Sequence, residues 1–273
     1  MKISNHRLFL DDTTPCEFRP SPNHSGSLEP KYLVMHYTAG RSKETSVQWL
    51  LNPVSEASAH LVIGRDGSIT QMVPFNRKAW HAGASSWHGL VGLNHHAIGI
   101  ELDNAGKLAR QNDRWMPWFE STVPDTEVLV ARHKNDQTES GWQIYTEAQL
   151  QAATMAAAAI IKKYNLRDVI GHDDISPFRK SDPGPAFQME SFRSKVMGRQ
   201  EDELPVLVTT TTLNIRLGPS PVHDKLPDGP LPPNTRVYIL QTEQGWCMVE
   251  VLDAINGAIG LRGWVNGTFL TLA

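Results

Sequence analysis

Cysteine is nearly absent. Cys16 and Cys247 are the only two in 273 residues, whereas a fold stapled by disulfides ordinarily carries several pairs, so both are read as free thiols. Long apolar runs are missing as well. The longest candidate, Met155 to Ile161, falls far short of the roughly 18 residues that a membrane-spanning helix requires, and such a helix is not expected. Near the start, Leu8-Phe9-Leu10 ahead of Asp11-Asp12 is too brief for a signal-peptide core of roughly 7 to 15 apolar residues. A basic surplus is also lacking: 26 Lys+Arg against 29 Asp+Glu give a formal net charge of -3, which argues against a nucleic-acid partner. What remains is ordinary globular composition, 40% hydrophobic and 20% charged, in a chain long enough for about two domains. Its unusual resource is histidine, with 11 residues.

Residues 1–29 are rich in Pro, Ser, Asn and Asp without a period and are expected to form an irregular arm, on the surface or loose. Tyr32-Leu33-Val34-Met35 reads as a buried strand that delivers His36. A short helix is expected over Ser46 to Leu51, stopped by Asn52-Pro53. Ala59 to Ile63, the turn Gly64-Arg65-Asp66-Gly67 and Ile69 to Val73 form a hairpin pattern. Ala97 to Leu102 is a further strand, apolar except for Glu101, whose burial without a partner would cost several kcal/mol or force it neutral. Residues 105–145 are a long polar stretch carrying Trp115, Trp118 and Trp142, read as a lid or cleft wall. Thr146-Glu147-Ala148-Gln149 has the form of a capping box, and apolar residues then recur at helical spacing over 147–164. Asp168-Val169-Ile170 is a buried strand leading to Gly171-His172, and a helix over Phe187 to Val196 closes a first domain, 30–197.

The charged, apolar-free stretch 198–205 reads as a linker. Beyond it, 206–273 changes to short strands punctuated by Gly, Pro, Asn and Asp: Val206 to Thr211, Leu213 to Arg216, Arg236 to Gln241, Gly245 to Val251 and Gly263 to Val265. That pattern suits a small all-β barrel. The elements are those of an α/β class followed by the barrel; the family resemblance given below implies a mixed central sheet flanked by helices.

Three residues suit a metal site: His36 at a strand end, His172 after a strand, and Asp182 ten residues later. Two imidazoles and one carboxylate would leave the fourth position of tetrahedral zinc for water. Taken singly, each histidine could be a capped or core residue, and Asp182 a turn residue before Pro183-Gly184. The segment Gly171-His172-Asp173-Asp174-Ile175-Ser176-Pro177-Phe178-Arg179-Lys180-Ser181-Asp182-Pro183-Gly184 changes that balance. It resembles the signature of the zinc-dependent N-acetylmuramoyl-L-alanine amidases of the type 2 family, which share a fold with phage T7 lysozyme and the peptidoglycan recognition proteins. His36-Tyr37-Thr38, Ser58 to Gly67, Ala79-Trp80-His81-Ala82-Gly83 and Asn94 to Leu102 resemble further family motifs in the same order, over roughly residues 30–190.

The resemblance implies one zinc per chain held by His36, His172 and Asp182, with Glu101 as the catalytic carboxylate and Lys180 as the partner of the oxyanion. It also implies that His60, Trp80, His81 and Asn94 line the cleft or contact substrate, although His60 could equally support a ligand or pack in the strand. General-base work by a carboxylate such as Glu101 is worth roughly a hundred- to ten-thousandfold in rate. Thr212 to Ser220, Gly245-Trp246-Cys247-Met248-Val249 and Gly263-Trp264-Val265 resemble bacterial SH3 domains, a module that binds peptidoglycan peptides or positions a hydrolase on its substrate. One or both of Trp246 and Trp264 could simply be barrel core.

The implied activity is hydrolysis of the amide between the lactyl group of N-acetylmuramic acid and L-alanine, with peptidoglycan or muropeptides as the partner. Two rivals stay open: a non-catalytic muropeptide-binding protein, and a zinc peptidase acting within the stem peptide. Without an export signal the expected location is the cytoplasm by default, or the cell wall after lysis or non-classical secretion. The sequence is silent on oligomeric state.

Overall fold

The computed structural model describes residues 1–197 and 206–273, so the linker expected at 198–205 lies outside the described residues. Two compact units are present: Met1–Leu129 with Gly141–Arg199, and Val130–Ser140 with Gln200–Ala273. No helix among the described residues is long and apolar enough to cross a membrane.

The first unit is built on a six-stranded mixed sheet in the order Asp168–Gly171, Tyr32–Tyr37, Ala97–Leu102, Leu61–Ile63, Ile69–Gln71, Glu17–Phe18. The first four strands run parallel, and Ile69–Gln71 turns back antiparallel. Continuous apolar runs such as Tyr32-Leu33-Val34-Met35 suit strands covered on both faces. Alternation then sorts the side chains. Leu33, Met35, Ile98, Ile100 and Leu102 enter the core beneath the helix Glu147–Tyr164, against Ala153, Ala156, Ala157 and Ile160. Tyr32, Val34 and Ala97 enter a smaller cluster with Ala82, Leu93, Ile170 and Ile175 on the opposite face. By the same parity His36 and Glu101 belong to that second face, and the register pairs them directly across two parallel strands.

The helix Glu147–Tyr164 matches its expected bounds, but the expected capping box is only half formed. Thr146 Oγ1 accepts from the Gln149 backbone N–H. Gln149 is fully buried and spends its side-chain amide on the carbonyls of Ile63 and Asp103, both at 3.0 Å, pinning the helix to two strand ends.

Residues 1–29 are not an irregular arm. Leu8, Cys16 and Leu28 are buried in the main core, Lys2–Ser4 pairs with Arg7–Phe9, and Glu17–Phe18 supplies the edge strand of the sheet. Scattered apolar residues gave no periodic signal, yet Leu8, Cys16 and Leu28 fill core space.

The stretch after Glu101 is also structured. Lys107–Gln111 pairs with Arg114–Met116 and, at its start, with Trp142 and Gly141. Ala105, Leu108, Trp115, Phe119 and Val123 form a local core beneath them. Residues 130–140, expected within the first domain, count instead with the second unit: the Arg132 backbone donates to Gly257 O and its guanidinium pairs with Asp228.

The second unit holds one antiparallel sheet of Leu207–Thr209, Arg236–Glu243, Trp246–Val251, Arg262–Asn266 and Leu270–Leu272 around Ile215, Leu231, Val237, Val249 and Val265. Leu213 to Arg216 does not form the expected strand; it makes only single bridges, Leu213 with Leu231 and Arg216 with Lys225 and Trp264. Trp264 is core and Trp246 is half-buried. Both cysteines are free and buried.

Candidate metal centre and active site

Parallel strands present their functional groups at their C-terminal ends, where ligand sites of such sheets gather. His36 is the fifth residue of its strand, Glu101 the fifth of the neighbouring one, and His172 follows directly after Gly171 on the other side, as the first residue of a four-residue helix. Asp182 arrives from the loop that follows. That loop is fastened at several points: Asp182 O accepts from Asp173 N at 2.8 Å, the Tyr37 hydroxyl meets Ser181 Oγ at 2.7 Å, and the Tyr145 hydroxyl donates to Pro183 O at 2.7 Å.

His36, His172 and Asp182 converge as buried neighbours. The two Nδ1 atoms are 2.9 Å apart, and Asp182 Oδ2 lies 2.9 Å from that of His36 and 2.8 Å from that of His172. The remaining nitrogens settle where the protons are. His172 Nε2 is 3.1 Å from the carbonyl of Ala82, which can only accept, so it donates there. His81 Nε2 faces the carbonyl of Ala97 at 3.2 Å and donates likewise. His81 Nδ1 is then an acceptor, and His36 Nε2, 3.0 Å away, must donate to it. The His36 and His172 rings thereby turn bare Nδ1 lone pairs toward the Asp182 carboxylate. Burial, and then the neighbouring His172, lowers the pKa of His36 to about 4, so its ring is neutral at pH 7. Three lone pairs within 3 Å and no proton between them repel one another. A small divalent cation relieves that, and two neutral imidazoles with one carboxylate are a donor set suited to zinc.

His81 is therefore a support of His36 and not a cleft residue. Its ring is buried in space that Gly99 leaves free: a Cβ at Gly99 would lie 2.5 Å from His81 Cγ. His60 is likewise removed from the cleft. It is fully buried, its Nδ1 accepts from Gly99 N at 3.0 Å and its Nε2 donates to Arg77 O at 2.9 Å, which leaves no nitrogen for substrate. Asn94 serves the backbone, its Oδ1 accepting from the N–H groups of His81 and Ala82. Trp80 is half-buried, with its indole donating to Ser25 Oγ at 3.3 Å. Sequence patterns placed all four near the site, and only hydrogen bonding separates support from contact. Tyr37 and Tyr145, which fasten the Asp182 loop, were missed; Tyr37 sits inside the first ligand motif, whereas nothing marked Tyr145.

Glu101 is half-buried, and its Oε2 is enclosed without a hydrogen-bond partner. Burial first, and then the charge of Asp182, raises its pKa to about 8, while Lys180 pulls the other way. Half-buried Lys180 is held by its backbone bond to Ser176 O and lies near enough for its charge to act on both Glu101 and His36. Without a cation that carboxyl is mostly protonated at neutral pH; a cation at the neighbouring cluster would favour its carboxylate, the form that can take and return a proton.

Residues 26–185 match the N-acetylmuramoyl-L-alanine amidase family, Amidase_2. The chain is 34% identical over 149 residues to the 1,6-anhydro-N-acetylmuramyl-L-alanine amidase AmpD of Citrobacter freundii, covering 54% of this chain and 61% of that one. It is 31% identical over 181 residues to the N-acetylmuramoyl-L-alanine amidase AmiD of Escherichia coli, covering 63% and 55%. A solved complex of the E. coli AmiD with anhydro-N-acetylmuramic acid-L-Ala-D-gamma-Glu-L-Lys aligns at a TM-score of 0.48 and 28% identity, over 65% of this chain and 60% of that one. The chain thus spans less than two thirds of the length of these relatives. All five motif residues, His36, Glu101, His172, Lys180 and Asp182, fall inside the matched segment, and the chain belongs to the N-acetylmuramoyl-L-alanine amidase family Amidase_2.

Proposed function

We propose that this chain is a zinc-dependent amidase that hydrolyses the bond between the lactyl group of N-acetylmuramic acid and the L-alanine of the stem peptide. The observation that carries the proposal is the convergence of bare His36 and His172 nitrogens on the Asp182 carboxylate, beside the unpartnered oxygen of Glu101. Zinc held by those three residues would polarise the amide carbonyl and make water acidic enough to be deprotonated near neutral pH. The chain's own groups do the rest. Glu101 Oε2 takes a proton from the attacking water and returns it to the departing amine of L-alanine. Lys180 adds positive charge where the oxyanion develops. His81 holds His36 in the one tautomer that leaves Nδ1 bare.

We further read the second unit as a bacterial SH3-like domain that holds the enzyme on wall material. Its antiparallel sheet, small apolar core and buried Trp264 support that reading.

The test is mass spectrometry of digests of both 1,6-anhydro-muropeptides and intact sacculi, with chelator and zinc add-back as controls. The amidase reading expects stem peptides with a free L-alanine amine next to intact muramic acid. Cuts within the peptide would establish a peptidase instead, and binding without any product would establish a receptor.

A further inference from the structure

His36 is fixed in its tautomer by another side chain, His81, whereas His172 is fixed by a backbone carbonyl 90 residues away, that of Ala82. A carbonyl orients a ring only if the carbonyl itself is held. Ala82 is fully buried and gripped on both sides. Its N–H donates to Asn94 Oδ1 at 2.8 Å, and its oxygen accepts a second hydrogen bond, from Arg179 Nη2 at 2.9 Å. The His172 ring and the guanidinium together occupy both lone pairs of that oxygen.

Arg179 reaches further groups from the same place. Its Nε and Nη2 lie 2.9 and 2.6 Å from Ser176 Oγ, and Nη2 is also 2.8 Å from Ala84 O. Ser176 is buried, and its hydroxyl donates to that same Ala84 carbonyl. One guanidinium thus joins the loop that carries His172 and Asp182 to the segment 82–84. Gly83 has a φ of 56°, in the left-handed region, and a Cβ there would come 3.4 Å from Nη2; the turn lets the carbonyls on either side of it face one cation. The opposite turn, at Phe178, is strained. Phe178 has a φ of 63° although its ring is 86% exposed, so its own side chain gains little from that conformation. What the turn secures is the placement of Arg179 and Lys180, whose backbone N–H groups both donate to Ser176 O. Arg179 is itself an exposed residue. A long cationic side chain at a surface ordinarily moves freely in water, and one spent on two carbonyls and a hydroxyl has given up that freedom. Its charge makes those hydrogen bonds roughly twice as strong as neutral ones, which suits it to hold Ala82 O in place.

We propose that Arg179 is a positioning residue for the metal centre: by anchoring the Ala82 carbonyl it keeps the proton of His172 on Nε2 and leaves Nδ1 bare toward Asp182. The assignment rests on the zinc reading above and adds that a side chain at the protein surface sets the orientation of a buried ligand.

The test uses the full-length protein, metal-free and zinc-loaded, as wild type, Arg179→Ala and Arg179→Lys. In Arg179→Ala zinc should bind about 10- to 100-fold more weakly in a chelator competition, the range expected when the groups that orient a ligating histidine are disturbed. Arg179→Lys keeps a charged donor but loses the planar fork that spans Ser176 and Ala82, and should recover part of that loss. NMR of the imidazole nitrogens in the metal-free protein supplies a readout that a merely structural role would not move. The wild type should show His172 with its proton on Nε2, Arg179→Ala should show a mixture of both tautomers, and His36 should be the same in each. An unchanged His172 tautomer would overturn the assignment whatever the zinc affinity, and so would equal changes at His36 and His172 with a lowered melting temperature, which mark a general loosening. If Arg179→Ala does not fold, Arg179→Lys against the wild type decides by the same readouts. If the wild type takes up no zinc while its His172 tautomer depends on Arg179, the zinc reading fails and the positioning role stands; stoichiometric zinc with a tautomer indifferent to Arg179 gives the reverse.

Discussion

Replacing Glu101 by Gln keeps the shape of the side chain and removes its charge and its ability to accept a proton. Two consequences follow with different signs. In the metal-free protein the wild-type carboxyl has a folded-state pKa of about 8 against the usual 4.5. An acid raised in this way favours the folded state fully below the unfolded value, and that contribution disappears as pH rises through about 8. The interval corresponds to at most ~5 kcal/mol, and because the group is only half-buried, solvent screening reduces it to something on the order of 2 kcal/mol. Metal-free Glu101→Gln should therefore match the wild type near pH 4 and become progressively more stable above pH 5, ending with a melting temperature higher by about 4–8 °C at pH 8 to 9. In the zinc-loaded protein the same change should leave metal content intact, since Glu101 is not among the converging ligands, while turnover falls by about two to four powers of ten. The assays are thermal denaturation against pH in chelator, elemental analysis, and steady-state hydrolysis of a muropeptide. Zinc lost in step with activity would make Glu101 a ligand. Activity within about threefold of wild type, small against the general-base range, or parallel stability curves for the two metal-free proteins, would show that the carboxyl is structural.

His36→Ala and His172→Ala should each abolish stoichiometric zinc in elemental analysis, and retention of full metal and activity by both would refute the site. His81→Ala should weaken zinc by roughly 10- to 100-fold in a chelator competition through loss of the proton acceptor that orients His36. Gly99→Ala should act on the same ring from below, costing about 1–3 kcal/mol of stability by overpacking and weakening zinc as well; unchanged affinity in both variants would disconnect His81 from the metal. Removing 200–273 should lower cleavage of insoluble sacculi far more than cleavage of soluble muropeptides, because a tethered binder acts through effective concentration. The truncated chain should also melt lower, since Arg132 loses its bonds to Asp228 and Gly257 O; equal sacculus activity in both forms would remove the targeting role.

The sequence by itself determined strands at 32–35, 97–102 and 168–170 and a helix over 147–164, each within a residue or two of its observed span, because each is a local apolar pattern whose period is set by backbone geometry. It also singled out His36, Glu101, His172, Lys180 and Asp182, whose chemical types and neighbours are written in short motifs. Only the tertiary structure decided what depends on contacts between distant residues. Residues 1–29 carry no period, and their core role exists only because Leu8, Cys16 and Leu28 meet surfaces supplied by later segments. Gln149 looked like a cap and became a strap, since two carbonyls from other strands compete for its amide. His60 and His81 are indistinguishable as letters; one is spent on Gly99 and Arg77, the other on His36, and the difference lies in which carbonyl each ring faces. The proton positions that leave two nitrogens bare beside Asp182 follow from those same carbonyls, 16 residues from His81 and 90 from His172, and no local pattern could carry them.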